Sequence, residues 1–211
     1  MRIDDGSVRM KVCGIRDMGA ALAAAEGADF LGFIMCSRFW RYVEPDLVRE
    51  ICQMVPGGRK VGVFVDQPLD EVSRLADYCG LDFLQLHGHE TEEYAGRLQA
   101  EGYSVIKAFR YGEDFSPERA DSYPADLILI DSYSKNSEGG NGITFAWQSA
   151  AEEIRKVKKP YIIAGGINAD NVREAMEIFQ PYGIDASSSM EIDKKKSPRL
   201  IREFLKEAGK L

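Results

Sequence analysis

The sequence lacks most of the features that mark specialised protein classes. Cysteine is sparse: four residues, at 13, 36, 52 and 79, with no CxxC pair among them. That spacing excludes a disulfide scaffold and reads as reduced thiols, as expected in the cytoplasm. No apolar run approaches the roughly 20 residues needed to span a membrane. The polar start, residues 1–8, has no apolar centre of the signal-peptide kind, so no targeting segment is expected there. Positive charge is not in excess. The net charge of -7 argues against a nucleic-acid partner, which rewards a basic surface. An acidic chain can still hold a small anion through a local cluster of N–H groups. There is no zinc-ligand spacing, no Walker loop and no dinucleotide fingerprint.

What the sequence does have is regular alternation. A hydrophobic fraction of 45% over 211 residues is ordinary for one globular domain, here 1–211, with 1–8 as a short extension. The first apolar run, Arg9-Met10-Lys11-Val12-Cys13, reads as a strand, and Gly14 lets the chain turn out of it. Asp17 is placed to cap a helix that Gly27 ends. Further strands are expected at Phe30 to Met35, Lys60 to Val65, Asp82 to Leu86, Ser104 to Phe109, Asp126 to Ile130, Pro160 to Ala164 and Gly183 to Ala186. Helical patterns separate them. Pro45 and Thr91 mark two of the starts, and the last helix is expected over Ser197 to Ala208. Eight strands alternating with eight helical segments imply parallel pairing and right-handed crossovers. The expected fold is an α/β single (β/α)8 barrel. A doubly wound open sheet is the competing architecture, disfavoured because no dinucleotide fingerprint accompanies it.

Barrel chemistry sits at the C-terminal ends of different strands. Those ends offer Cys13, the loop carrying Arg41, His87, Asp131, Gly165-Gly166 and Ser187-Ser188-Ser189. After the sixth strand comes a loop of about a dozen residues containing Gly139-Gly140-Asn141-Gly142, long for a strand-to-helix connection and therefore a functional candidate. Gly165-Gly166 alone would read as a turn. With a serine run after the next strand, the pair reads as a phosphate site built from backbone N–H groups.

Cys13 and Asp131 are a candidate base and acid. A thiol with a reference pKa of about 8.5 needs only a modest downward shift to ionise near neutrality. A cysteine at a strand end is equally a small buried hydrophobe, and an aspartate there equally a cap, so spacing leaves both readings open. Arg41 alone reads as a surface residue. Its neighbours Phe39, Trp40 and Tyr42 favour a ligand, and its planar fork would suit a carboxylate. His87 faces either the ligand or the rim. Cys36, Cys52 and Cys79 read as packing residues, and Lys194 to Lys196 as a solvated turn.

Taken together, these segments resemble the phosphoribosylanthranilate isomerase family over nearly the whole chain. The carriers are Lys11-Val12-Cys13-Gly14-Ile15, Gly32-Phe33, Arg41-Tyr42-Val43, Val61-Gly62-Val63-Phe64-Val65 and Gln85-Leu86-His87-Gly88. Leu129-Ile130-Asp131-Ser132, Gly139-Gly140-Asn141-Gly142, Thr144-Phe145, Ala164-Gly165-Gly166-Ile167-Asn168 and Asp185-Ala186-Ser187-Ser188 complete the set. Each is weak alone, but their joint order is specific. The resemblance implies an Amadori rearrangement in tryptophan biosynthesis, converting an aminoaldose phosphate to an aminoketose phosphate. It implies Asp131 as general acid, Cys13 as general base, Arg41 at the substrate carboxylate, and His87 with the loop-six glycines Gly140 and Gly142 at the substrate. Backbone amides at Gly165, Gly166, Ser188 and Ser189 would hold the phosphate. The expected partner is a small phosphorylated substrate, with neither metal nor organic cofactor, in a monomer or homodimer.

The departures are local. Ile143 stands where the family carries lysine, and Ala146 where it carries aspartate. Phe39-Trp40 replaces the usual Ser-Pro. Ser189 replaces a glycine, which places a β-carbon in a turn that glycine makes freely. A related barrel acting on another aminoaldose phosphate, or a non-catalytic paralogue that binds a phosphate metabolite, are the alternative readings.

Overall fold

A computed structural model describes residues 7–131 and 142–211. Eight parallel strands close on themselves in sequence order. They are β1 (Arg9–Cys13), β2 (Phe30–Ile34), β3 (Arg59–Phe64), β4 (Phe83–Leu86), β5 (Ser104–Arg110), β6 (Leu127–Asp131), β7 (Tyr161–Ala164) and β8 (Gly183–Ala186). Each leads into a helix: α1 (Met18–Ala25), α2 (Pro45–Met54), α3 (Leu69–Cys79), α4 (Glu92–Ala100), α5 (Pro117–Ser122), α6 (Gly142–Ile154), α7 (Val172–Phe179) and α8 (Pro198–Glu207). The expected (β/α)8 barrel is what forms. Among the described residues no helix is long and apolar enough to cross a membrane.

The helix starts follow their capping chemistry. The side chains of Asp17, Thr91 and Ser197 accept from the N–H groups of Ala20, Tyr94 and Leu200, each satisfying an otherwise unpaired donor. The strands are buried on both faces, and alternation divides those faces. Val12, Leu31, Phe33, Leu84, Ile128 and Ile163 pack outward under the helices. Phe30, Val61, Phe83, Ile106, Leu127, Leu129 and Ile162 fill the interior, so the barrel is a packed core and not a pore. Each such side chain contributes roughly 1.5–3 kcal/mol by leaving water. At the C-terminal end polar residues, Gln85, Asp131 and Asp185 among them, stand beside apolar Ile34, Val63 and Ala164 around an open cavity.

Three local expectations change. α6 begins at Gly142, three residues ahead of the Phe145 start read from the pattern. Ser189 lies outside the set of residues with positive φ, so its β-carbon enters the turn without strain. The stretch after β8 is an antiparallel hairpin, β9 (Glu191–Ile192) and β10 (Lys195–Lys196), joined by Asp193 and Lys194 at φ 50 and 61°. Two positive φ values in a two-residue connection are those of a type I′ turn. Lys194 and Lys195 are exposed, as a solvated turn would have them. Lys196 is not: it is buried, because successive residues of a strand face opposite ways.

Candidate active site

A cavity of 290 Å³ opens at the C-terminal end of the barrel, lined among others by Cys13, Arg41, Gln85, His87, Asp131 and Asp185. Gly165, Gly166 and Ser188 complete one wall. The residues expected to act together from β1, β2, β4, β6, β7 and β8 therefore do meet. A larger groove of 570 Å³ lies outside the barrel wall between α2 and α3, lined by Tyr42, Asp46, Glu71, Arg74 and Tyr78. It contains neither Cys13 nor Asp131, whereas the smaller cavity brings both to one space.

Cys13 ends β1 and is buried, opposite Gly32 on β2. A β-carbon at Gly32 would stand 2.9 Å from the Cys13 sulfur and 3.1 Å from Lys11 Nζ, so only glycine lets both side chains share this corner. Lys11 points into the barrel one layer below Cys13. Its side chain is fully buried and donates to Asp185 Oδ2 at 2.9 Å. Asp185 is its register partner on β8. Burial pushes the Cys13 thiol above its ordinary value; the Lys11 charge beside it pulls down and Asp185 pushes further up. The downward shift that ionisation near neutrality would need is not what the fold imposes, because the strand end is closed off from water. Burial also raises the Asp185 carboxyl, against the pull of Lys11. Lys11 itself is held above its ordinary value, since Asp185 overcomes the effect of burial.

His87 follows β4 and is half-buried, with Nδ1 2.9 Å from Gln85 Nε2. Burial, only partly offset by the Asp131 charge, lowers its pKa to about 4, so the imidazole is neutral at neutral pH. Four buried side-chain oxygens are unpartnered among the described residues, and two of them, Gln85 Oε1 and Asp185 Oδ1, belong to residues of the cavity wall. Buried acceptors without a donor are costly unless something supplies one, and ligand hydroxyls would.

Gly165 and Gly166 have φ 99 and 69°, the left-handed region that favours glycine, and Asn171 Nδ2 donates to the Gly166 carbonyl from the start of α7. Across from them Ser188–Met190 form one 3-10 turn. The N–H groups of Met190 and Glu191 close it on the carbonyls of Ser187 and Ser188. The N–H groups of Ser188 and Ser189 lead that turn and take no part in closing it. The Ser189 side chain does not face the main cavity: it lines a separate 160 Å³ hollow against α8 with Met190, Leu200 and Phe204.

Arg41 reaches the cavity rim rather than open solvent. Its Nε and Nη2 donate to Glu191 Oε1 and Oε2 at 2.9 and 3.0 Å, and its guanidinium lies over the Trp40 ring at 4.1 Å. Trp40 is exposed and lines none of the cavity; Arg16 and Lys194 also flank its ring. Gly140 and the rest of residues 132–141 lie outside the described residues, and Gly142 opens α6. Sequence reasoning missed Lys11, Gln85, Asp185, Glu191 and Lys196. The available signal was position: Lys11, Gln85 and Asp185 each sit two residues before a residue at the mouth, on the same side of the strand.

Comparison with known proteins agrees with the fold throughout. The model of the family described as N-(5'phosphoribosyl)anthranilate (PRA) isomerase matches residues 10–207. An N-(5'-phosphoribosyl)anthranilate isomerase of Desulforamulus reducens is 42% identical over 94% of this chain and 94% of its own. The crystal structure of phosphoribosyl anthranilate isomerase from Thermotoga maritima is 34% identical with a TM-score of 0.83, covering 97% of this chain and 100% of that one. Another solved isomerase is similar at 31% identity and a TM-score of 0.81, covering 97% of this chain and 100% of that one. It holds reduced 1-(o-carboxyphenylamino)-1-deoxyribulose 5-phosphate.

Proposed function

The chain belongs to the N-(5'-phosphoribosyl)anthranilate isomerase family, and from that premise we propose that Asp131 and Cys13 are the acid and base of its reaction. The enzyme isomerises N-(5-phosphoribosyl)anthranilate, an aminoaldose, to 1-(2-carboxyphenylamino)-1-deoxyribulose 5-phosphate, an aminoketose. Asp131, as the carboxylic acid, protonates the furanose oxygen. The C1–O bond breaks, and the nitrogen lone pair forms a C1=N iminium. Cys13, as thiolate, takes the proton from C2, and that electron pair becomes the C1=C2 bond of an enolamine. Transfer of a proton to C1, with loss of the C2 hydroxyl proton, gives the ketone.

The observation that supports this reading is the shared cavity: Cys13 and Asp131 line one space, on strands far apart around the barrel. Two protons can then move at two sites on one substrate without the groups exchanging them directly. Gly165, Gly166, Ser188 and Ser189 hold the phosphate through their N–H groups, and Arg41 holds the anthranilate carboxylate. Asp185 Oδ1 and Gln85 Oε1 accept from the pentose hydroxyls. Neutral His87 adds a polar wall without a second positive charge near the iminium. Lys11 favours the thiolate and keeps its sulfur in place.

Conversion of freshly made phosphoribosylanthranilate, followed by loss of its fluorescence, tests the assignment. Cys13→Ser and Asp131→Asn are each expected to lower kcat by roughly 100-fold or more. Near-native turnover in both variants refutes it.

A further inference from the structure

Arg41 is held before any substrate arrives. Of the five N–H donors of a guanidinium, the Nε–H and one Nη2–H go to the Glu191 carboxylate. Trp40 covers one face. What the side chain still offers is its terminal edge, the two N–H bonds of Nη1 and the second of Nη2, and Arg41 is part of the cavity wall. Glu191 is fixed in turn. Its Oε1 accepts from Lys196 Nζ at 3.0 Å, and Lys196 also donates to the Ser187 carbonyl at 2.6 Å. Ser187 Oγ donates to the Cys13 carbonyl at 3.0 Å. The Lys196 and Glu191 side chains are 1% and 10% exposed, against 27% for Arg41. The hairpin β9–β10 therefore builds a buried strut from the phosphate loop to the guanidinium.

We propose that Glu191, braced by Lys196, is the positioning residue that makes the Arg41 subsite specific for a single aryl carboxylate. By occupying the Nε edge it leaves one two-point geometry for an incoming carboxylate, end-on at the terminal nitrogens. An arginine free to rotate would offer several edges and lose more freedom on binding. A carboxylate this close would ordinarily repel the ligand. Lys196 offsets it. Burial holds the Lys196 ammonium below its ordinary value, while the Glu191 charge and hydrogen bond favour it. With Lys196 charged, the three side chains together carry one positive charge. Burial works against the charge on Glu191, but the hydrogen bonds from Arg41 and the Lys196 charge overcome this and hold its carboxyl below the ordinary range. The proposal rests on the reading of Arg41 as the carboxylate's partner.

The test uses two stable ligands on the intact enzyme, the reduced product and the same molecule with phenyl in place of 2-carboxyphenyl, with affinities measured by titration calorimetry. The native enzyme prefers the first. Arg41→Ala abolishes that preference. Glu191→Ala lowers it by about tenfold or more, while the affinity for the carboxylate-free ligand, which reports the phosphate and pentose contacts, stays within about threefold of native. Glu191→Gln, which keeps the packing and one acceptor, falls between, and its loss of preference decides the matter should the alanine variant not fold. If Arg41→Ala keeps the preference, the Arg41 reading fails and Glu191 goes with it. If Arg41→Ala loses the preference but both Glu191 variants keep or increase it, the role of Glu191 alone is overturned.

Discussion

Among the described residues, two buried lysine–carboxylate pairs on the barrel strands share a 2.9 Å separation, Lys107 with Glu90 and Lys11 with Asp185. Lys107 lies on β5 between Ile106 and Ala108, which face the interior, so it points outward beneath the loop after β4. There everything is satisfied. Glu90 accepts from the N–H groups of Asp66 and Gly88 as well as from Lys107, and Lys107 also donates to the Gly88 carbonyl. Lys11 points inward on β1, next to Cys13, the proposed base. Its partner Asp185 keeps one oxygen without a donor among the described residues, on the cavity wall. A closed network holds a loop, whereas an open one leaves bonding capacity for a ligand. On the proposed roles, the difference separates a buried charge that serves the fold from one that serves the chemistry.

The sharpest way to break the comparison is to give both lysines the same substitution. Lys107→Met strands Glu90 in the core and is expected to lower unfolding free energy by about 3–5 kcal/mol, read from denaturant curves. The protein that remains folded should keep a kcat within a few-fold of native. Lys11→Met should instead act on the pH–rate profile. Without the Lys11 charge the thiol rises further, so the limb of kcat/KM that requires thiolate moves to higher pH. At pH 7 activity should fall about tenfold or more, and it should recover as the pH rises. A loss at Lys11→Met that is equal at every pH would make this pair a second structural clamp.

His87 sharpens the contrast at smaller scale. Its folded pKa is about 4, below the ordinary value of 6.5, so the fold favours the neutral ring. As pH falls below 6.5 the unfolded chain takes up a proton that the folded one refuses. The stability this group contributes is therefore complete above 6.5 and is lost progressively down to about 4. The chain has only two histidines, His87 and His89, so NMR titration of the imidazoles resolves both. A His87 midpoint near 6.5 would remove the neutral wall from the mechanism.

Much of this architecture was legible from the residues. Asp17, Thr91 and Ser197 announced helices because capping is local chemistry, and strand–helix alternation led to the barrel because few topologies accommodate it. Cys13 and Asp131 stood out because strand ends are where barrels expose side chains. Lys11 did not, because a polar residue alternating with apolar ones reads as solvent-facing. In a closed barrel both strand faces are buried, and the polar position pointed into the interior. Lys196 hid within a basic run whose other members are solvated. The upward shift of Cys13 depends on burial and neighbours that only the closed fold brings together.

The most direct measurement of the assigned roles uses substrate deuterated at C2. In Cys13→Ser, removal of the C2 proton becomes the slow step, and a primary isotope effect on kcat should be retained or enlarged. In Asp131→Asn, ring opening becomes limiting and the effect should shrink towards unity. The opposite pattern, with the isotope effect lost at Cys13→Ser and kept at Asp131→Asn, would contradict the division of labour across the barrel mouth.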